Sequence, residues 1–148
     1  AGKRQRLAAA YKFINLGIII SGAGQVLMIR RAKEEIGKDG KPLTWAFPGG
    51  KQRLTESRNE CVKREVLAET GYEVKPLRQL ALRLHPNLPM HIAYHLCKLL
   101  REEPVVEPSE PHEVAEIKWV DADEVLKIAP EMDPAVRVVI EAAAKGKG

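Results

Sequence analysis

The chain has 148 residues, 45% apolar and 30% charged, a composition that fits one soluble globular domain with a sizeable core. Its net charge of +4 is mild and sits largely at the ends, in Lys3, Arg4, Arg6, Lys145 and Lys147, as expected of solvated tails. Aromatic residues at 5% leave few stacking platforms for nucleic acid, two cysteines make no disulfide framework, and no apolar run approaches the roughly 20 residues of a bilayer span.

In chain order, residues 1–10 read as a flexible basic tail without a signal-peptide pattern. Lys12–Ile20 is a β-branched run, Ser21–Gly24 a turn and Gln25–Arg30 a second strand, together predicting a hairpin. Residues 31–43 are charged and broken by glycine and proline, as in a functional loop. Leu43–Phe47 predicts a short strand running into the turn Pro48-Gly49-Gly50. Thr55 or Ser57 is placed to cap a helix over about 56–69 that ends at Gly71, with Cys61, Val62, Val66 and Leu67 facing inward. Tyr72–Val74, Leu77–Leu84 and His91–Leu100 read as strands, with a proline-containing loop at His85–Pro89. Residues 101–112 predict a surface loop and Glu113–Val120 a strand. Asp121 to Asp123 are placed to cap a short helix to about Ile128, and Pro134–Ala144 is the last helix. The mixture predicts an α/β fold, a mixed sheet between helices, as one domain over 11–144 with a flexible tail at 145–148.

Gly50 is followed by Glu56, Arg64-Glu65, Glu69 and Gly71. In a helix Glu65 and Glu69 stack one turn apart, about 40° from each other on the wheel. Two carboxylates there make an oxygen-ligand site suited to Mg²⁺ or Mn²⁺. Arg64 falls in a row with Glu56 and Glu60, so an ion-pair row is expected to tie loop to helix. His91 and His95 share one side of their strand, but no third ligand completes a zinc spacing.

This segment resembles the Nudix box, G-x5-E-x7-R-E-U-x-E-E-x-G-U with U aliphatic. Gly50, Glu56, Arg64, Glu65, Val66, Glu69 and Gly71 match, and Phe47-Pro48-Gly49-Gly50-Lys51 and Trp119-Val120 follow the family's habits. Two positions depart. Ala68 stands where the pattern has the first Glu of its pair, and Tyr72 replaces the final aliphatic residue.

The resemblance implies a Nudix-type α/β/α sandwich and metal-dependent hydrolysis of a nucleoside diphosphate linked to a group X, giving a nucleoside monophosphate and phosphate-X. It makes Glu65, Glu69 and Arg64 the catalytic set and Glu65 and Glu69 the metal ligands, with Glu65 also a candidate base. Glu56 is assigned to pairing Arg64, with metal contact as its second role. Glu113, ahead of Glu116, is the candidate further carboxylate. The Gly49 and Gly50 amides and the Lys51 ammonium are placed to hold phosphate oxygens. Trp45 is a candidate base-stacking residue, and Arg83 and His85, with His91, candidate pocket residues.

A (d)NTP or modified nucleotide leads as substrate. ADP-ribose or a nucleotide sugar is second, since Pro86 and Pro89 fall near where ADP-ribose hydrolases tend to carry a proline. Ala68 motivates a different class, a weakly active or inactive Nudix nucleotide-binding sensor. The expected setting is the cytoplasm, with a small nucleotide as partner, no membrane and no nucleic acid; pairing into a homodimer stays open.

Overall fold

The computed structural model describes residues 13–31, 45–109, 114–129 and 131–146, with the backbone of 35–36 and 42–43. The basic tail expected at 1–10 lies outside the described residues. Strand β1 (Phe13–Ile19) is inside a four-stranded sheet, parallel to β7 (His91–Leu99) from Phe13↔His91 to Ile19↔Cys97 and antiparallel to β5 (Gly49–Lys51). The order is β5-β1-β7-β6, with β6 (Val74–Leu84) at the edge. β2 (Gln25–Arg31) pairs with β8 (Val114–Asp121), and β3 (Glu35–Ile36) with β4 (Pro42–Leu43).

Both faces of β1 are covered, which is why its sequence reads as a nearly unbroken apolar run. One face packs Ile19, with Leu27, Val74 and Cys97, against Val62 and Val66 of helix α1 (Arg58–Thr70). The other packs Ile18, with Val26, Met28, Phe47, Ile92 and Tyr94, against two helices. These are α2 (Ala122–Ile128), through Ala122 and Val125, and α3 (Pro134–Gly146), through Val136 and Ile140. The expected mixed sheet between helices is therefore present.

Several local expectations are corrected. Strands β1 and β2 form no hairpin ladder: they meet only in the bridge Ile20↔Val26 and part into different sheets. Ser21 Oγ accepts from the Ala23 and Gln25 amides, and Gly24 takes φ +75°, so the turn carries the chain out of the first sheet. In the strand expected at Leu43–Phe47, Leu43 belongs to β4 and Ala46 makes a lone bridge to Ile29. The pairing segment is instead Gly49–Lys51, read as a turn because of its glycines. Gly49 has φ +151°, and a Cβ there would stand 2.0 Å from the Asn15 carbonyl oxygen, so only glycine fits. Tyr72–Val74 and Leu77–Leu84 are not two strands; β6 runs on from Val74, and register shifts at Pro76/Arg78 and Gln79/Ala81 absorb the proline on an outer edge. Asp121 makes no side-chain capping bond to α2. Helix α3 continues past Ala144 to Gly146. No helix among the described residues is long and apolar enough to cross a membrane.

Candidate active site

Helix α1 carries the box. Ser57 caps it: the Ser57 hydroxyl accepts from the Glu60 amide at 3.1 Å, and the Ser57 amide donates to Glu60 Oε1 at 2.9 Å. Glu60 is therefore not part of an ion-pair row with Arg64, as the wheel suggested; its carboxylate turns back to the helix start. At the other end Gly71 takes φ +79° and its amide donates to the Leu67 carbonyl. The segment after β7 covers this end, with the Val105 amide donating to the Gly71 carbonyl and the Ser109 amide to that of Ala68, both near 2.9 Å (2.8 and 2.9 Å). The departure at Tyr72 has a partner: its hydroxyl accepts from Trp119 Nε1 at 3.0 Å, with the rings edge to face at 5.4 Å.

Three carboxylates are organised by two arginines. Arg64 donates to Glu56 through Nε at 2.9 Å and Nη2 at 2.6 Å, to Glu65 Oε1 through Nη1 at 2.5 Å, and to the Lys51 carbonyl at 3.2 Å. This fork is why Arg, and not Lys, suits the position. The Arg64 hydrogen bond holds the Glu56 carboxyl down to about 2, helped by the Arg53 amide, and the two carboxylates raise Arg64 in turn. Glu65 packs against β5: a Cβ on Gly50 would lie 2.7 Å from its Cδ and Oε2. Glu65 Oε2 accepts no hydrogen bond from the described residues.

Glu69 is 1% exposed and points toward the sheet. Its Oε1 accepts from the Gly49 amide and its Oε2 from Arg31 Nη1, each at 2.8 Å, while Arg31 Nη2 donates to the Gly49 carbonyl at 3.2 Å. Burial pushes Glu69 up to about 7 against the pull of Arg31 and the Gly49 amide.

This corrects the phosphate-holding role expected of the glycine amides. The Gly49 amide is committed to Glu69. Gly50 pairs with Asn15, two residues along the ladder from the bonds Gly17 N–H to Pro48 and Gln52 N–H to Phe13, so the antiparallel alternation turns it toward β1. The glycines instead let β5 pass close to β1 and Glu65. Lys51 is exposed at the end of β5.

The remaining candidates are dispersed. Arg83 donates through Nε to the Tyr94 hydroxyl at 3.0 Å and lies over its ring, beside the α2/α3 core. Trp45 packs against the same core with the Lys118 ammonium 5.9 Å from its ring centre. His85 Nδ1 accepts from the Asn87 and Leu88 amides and shapes the β6–β7 turn. His91 stacks on Phe13. Glu116 is exposed and pairs with Arg30, and Glu113 lies outside the described residues. Sequence reasoning missed Arg31, read only as the start of a charged loop, and the linked polar set of buried Asn15 and His95 with half-buried Gln52. No local signal marks either, because their partners lie 37 to 80 residues away.

Comparison with known proteins accounts for this arrangement. A family model described as NUDIX domain matches residues 13–141. The chain is 31% identical over 83 residues to mRNA-decapping enzyme subunit 2 of Arabidopsis thaliana, a match that takes in 55% of this chain and 22% of that longer protein. Among solved structures it resembles an ADP-ribose pyrophosphatase of Streptococcus suis (TM-score 0.63, 24% identity, 89% of this chain and 91% of that one). It also resembles a MutT protein of Methanosarcina mazei (TM-score 0.61, 26% identity, 91% and 94%). With the family model spanning nearly all of the described fold and the box organised on α1 and β5, the chain belongs to the Nudix family.

Proposed function

We propose that the chain is a divalent-metal-dependent pyrophosphohydrolase that cleaves a nucleoside diphosphate linked to X, foremost a (d)NTP or modified nucleotide, to a nucleoside monophosphate and phosphate-X. The observation that carries this reading is the placement of Glu65, held by Arg64 through one oxygen, with its other oxygen beside the glycine strand.

The donor set suits a hard dication: it is all carboxylate, and Mg²⁺ takes one or two carboxylates together with waters and substrate phosphate oxygens. Glu65 is the residue to hold it. Glu69 and Glu56 already accept hydrogen bonds at both oxygens, so they contribute charge and any remaining lone pairs. When bound, the ion supplies charge neutralisation and polarisation of a P–O bond. Glu65 accepts the proton of the attacking water. Arg64 fixes the Glu65 carboxylate through Nη1, and the Lys51 ammonium, exposed on β5, meets the phosphates. Trp45, and Arg83 on Tyr94, lie with the α2/α3 core on the sheet face away from α1, and His85 is engaged in the β6–β7 turn, so none of the three is assigned to the nucleotide. Both cysteines are buried and free, which supports a reducing cytoplasmic setting.

ADP-ribose or a nucleotide sugar is the second reading, favoured by the likeness to an ADP-ribose pyrophosphatase. The test is a panel of dNTPs, ADP-ribose, UDP-glucose and capped RNA with Mg²⁺ or Mn²⁺, following nucleotide products, with Glu69→Gln alongside. Turnover of a dNTP supports the lead, and preference for ADP-ribose or UDP-glucose the second reading. Nucleotide binding without any turnover would overturn both in favour of a sensor, the class that Ala68 motivates.

A further inference from the structure

Beside the carboxylate site lies a polar set, buried at Asn15 and His95 and half-buried at Gln52, that the reaction described above does not use. Asn15 is fully buried in β1 and His95 is 1% exposed in β7. Asn15 Nδ2 donates to Gln52 Oε1 at 3.0 Å, His95 Nε2 lies 2.9 Å from Asn15 Oδ1, and Gln52 Nε2 donates to the Glu56 carbonyl at 3.0 Å. These bonds have one direction. A carbonyl only accepts, so Gln52 presents its nitrogen to Glu56 and its oxygen to Asn15. Asn15 then presents its nitrogen to Gln52 and its oxygen to His95, which makes His95 the donor through Nε2–H. Burial, with a smaller contribution from Arg58, lowers His95 to about 4, so it stays neutral and keeps this tautomer at physiological pH. His95 Nδ1 has no hydrogen-bond partner among the described residues. A buried acceptor left unpaired is tolerated here in return for the donor on the opposite side of the ring.

The chain of bonds ends where the catalytic arrangement begins. Gln52 is also tied through its backbone amide to the Phe13 carbonyl at 2.9 Å. The turn from Gln52 to Glu56 is closed by the Arg53 amide donating to Glu56 Oε1 at 2.8 Å, and the Glu56 carboxylate grips Arg64.

We propose that Asn15, Gln52 and His95 are positioning residues: their one-way hydrogen-bond chain fixes the turn that aims Glu56 at Arg64, and through Arg64 sets the orientation of Glu65. The consequence for rate rests on the hydrolase reading above; the consequence for Arg64 does not.

The test combines the side-chain NMR signal of the Arg64 Nε–H with steady-state kinetics, on the full chain with Mg²⁺ and the panel nucleotide that wild type turns over fastest. Gln52 is half-buried at the surface, so Gln52→Met removes both of its side-chain bonds without opening the core. Gln52→Met is expected to speed hydrogen exchange at Arg64 Nε–H and lower kcat by about tenfold each, with KM within about twofold, since misplacement acts on the reacting geometry more than on ground-state binding. His95→Gln restores a donor near the Nε2 position and is expected to behave as wild type, whereas His95→Met, where folded, follows Gln52→Met. An unchanged Arg64 signal in Gln52→Met overturns the proposal, whatever happens to the rate. A chain that hydrolyses no panel nucleotide overturns the hydrolase reading, and the Arg64 signal still decides this one.

Discussion

Arg64 holds Glu56 at both carboxylate oxygens, 2.9 Å from Nε and 2.6 Å from Nη2, and reaches Glu65 with its remaining nitrogen. Glu56 is thereby a clamp on the arginine that orients Glu65. Arg64→Lys keeps the charge and loses the fork. It is expected to cost about 2 kcal/mol of stability and to lower kcat by about tenfold, read from urea unfolding and steady-state rates at pH 7. In the same variant the Glu56 carboxyl, followed by NMR titration, rises from about 2 toward its ordinary 4.5. A Glu56 titration unchanged from wild type would show that Arg64 is not what holds it down.

The two glycines of β5 predict opposite failures. At Gly49 a new Cβ meets the Asn15 backbone, which cannot move aside, and the φ is unfavourable to any other residue. Gly49→Ala should unfold the chain or lower its stability by more than about 3 kcal/mol. At Gly50 a new Cβ meets the end of the Glu65 side chain, which can swing away. Gly50→Ala should keep stability within about 1 kcal/mol of wild type and lower kcat by about 100-fold. Thermal unfolding and turnover of both variants, measured together, check the contrast; equal stability losses would contradict it.

That contrast marks what the sequence made legible. Gly50, Glu56, Arg64, Glu65 and Glu69 lie within a strand, a turn and one helix, so helical spacing and cap chemistry bring them together without knowledge of the sheet. The ion pair of Arg31 with Glu69 spans 38 residues and the bond of Asn15 with His95 spans 80. The second follows from β1 lying beside β7, and the first joins the end of β2, in the other sheet, to α1; nothing local encodes either placement. The same gap produced the expected β1–β2 hairpin, whose strands are adjacent in sequence and apart in the sheets. Pro48-Gly49-Gly50 reads as a turn from its residue types, whereas Gly49 opens β5, because glycine serves close strand pairing as well.

Glu69 and His95 make opposite contributions to stability against pH. Glu69 is raised from 4.5 to about 7, so the folded chain binds its proton more tightly; this stability is fully present below pH 4.5 and lost as pH rises through 7. His95 is lowered from 6.5 to about 4, so its contribution is present above pH 6.5 and lost as pH falls through 4. Glu69→Gln removes only the first. Urea unfolding of both proteins in EDTA from pH 4.5 to 8 should show the advantage of wild type over the variant shrinking by about 3 kcal/mol as pH rises. A difference that is flat across this range would show that Glu69 is already ionised throughout.

Ala68 leaves the box one carboxylate short; its carbonyl is taken by Ser109 and the residue is only half-buried. Ala68→Glu should therefore fold and raise kcat or lower the Mg²⁺ concentration for half-maximal rate. A metal titration checks it. An unchanged curve would mean that another acid, Glu113 first, already fills that place.

Turnover of the preferred panel nucleotide in Mg²⁺ by wild type and Glu65→Gln, with circular dichroism and thermal unfolding of each, decides whether Glu65 carries the reaction. A folded variant is expected whose kcat is lower by about 1,000-fold with nucleotide binding retained, as loss of both base and ion-holding carboxylate requires. A folded Glu65→Gln that turns over at a rate within about threefold of wild type would contradict it, because base loss alone should exceed that.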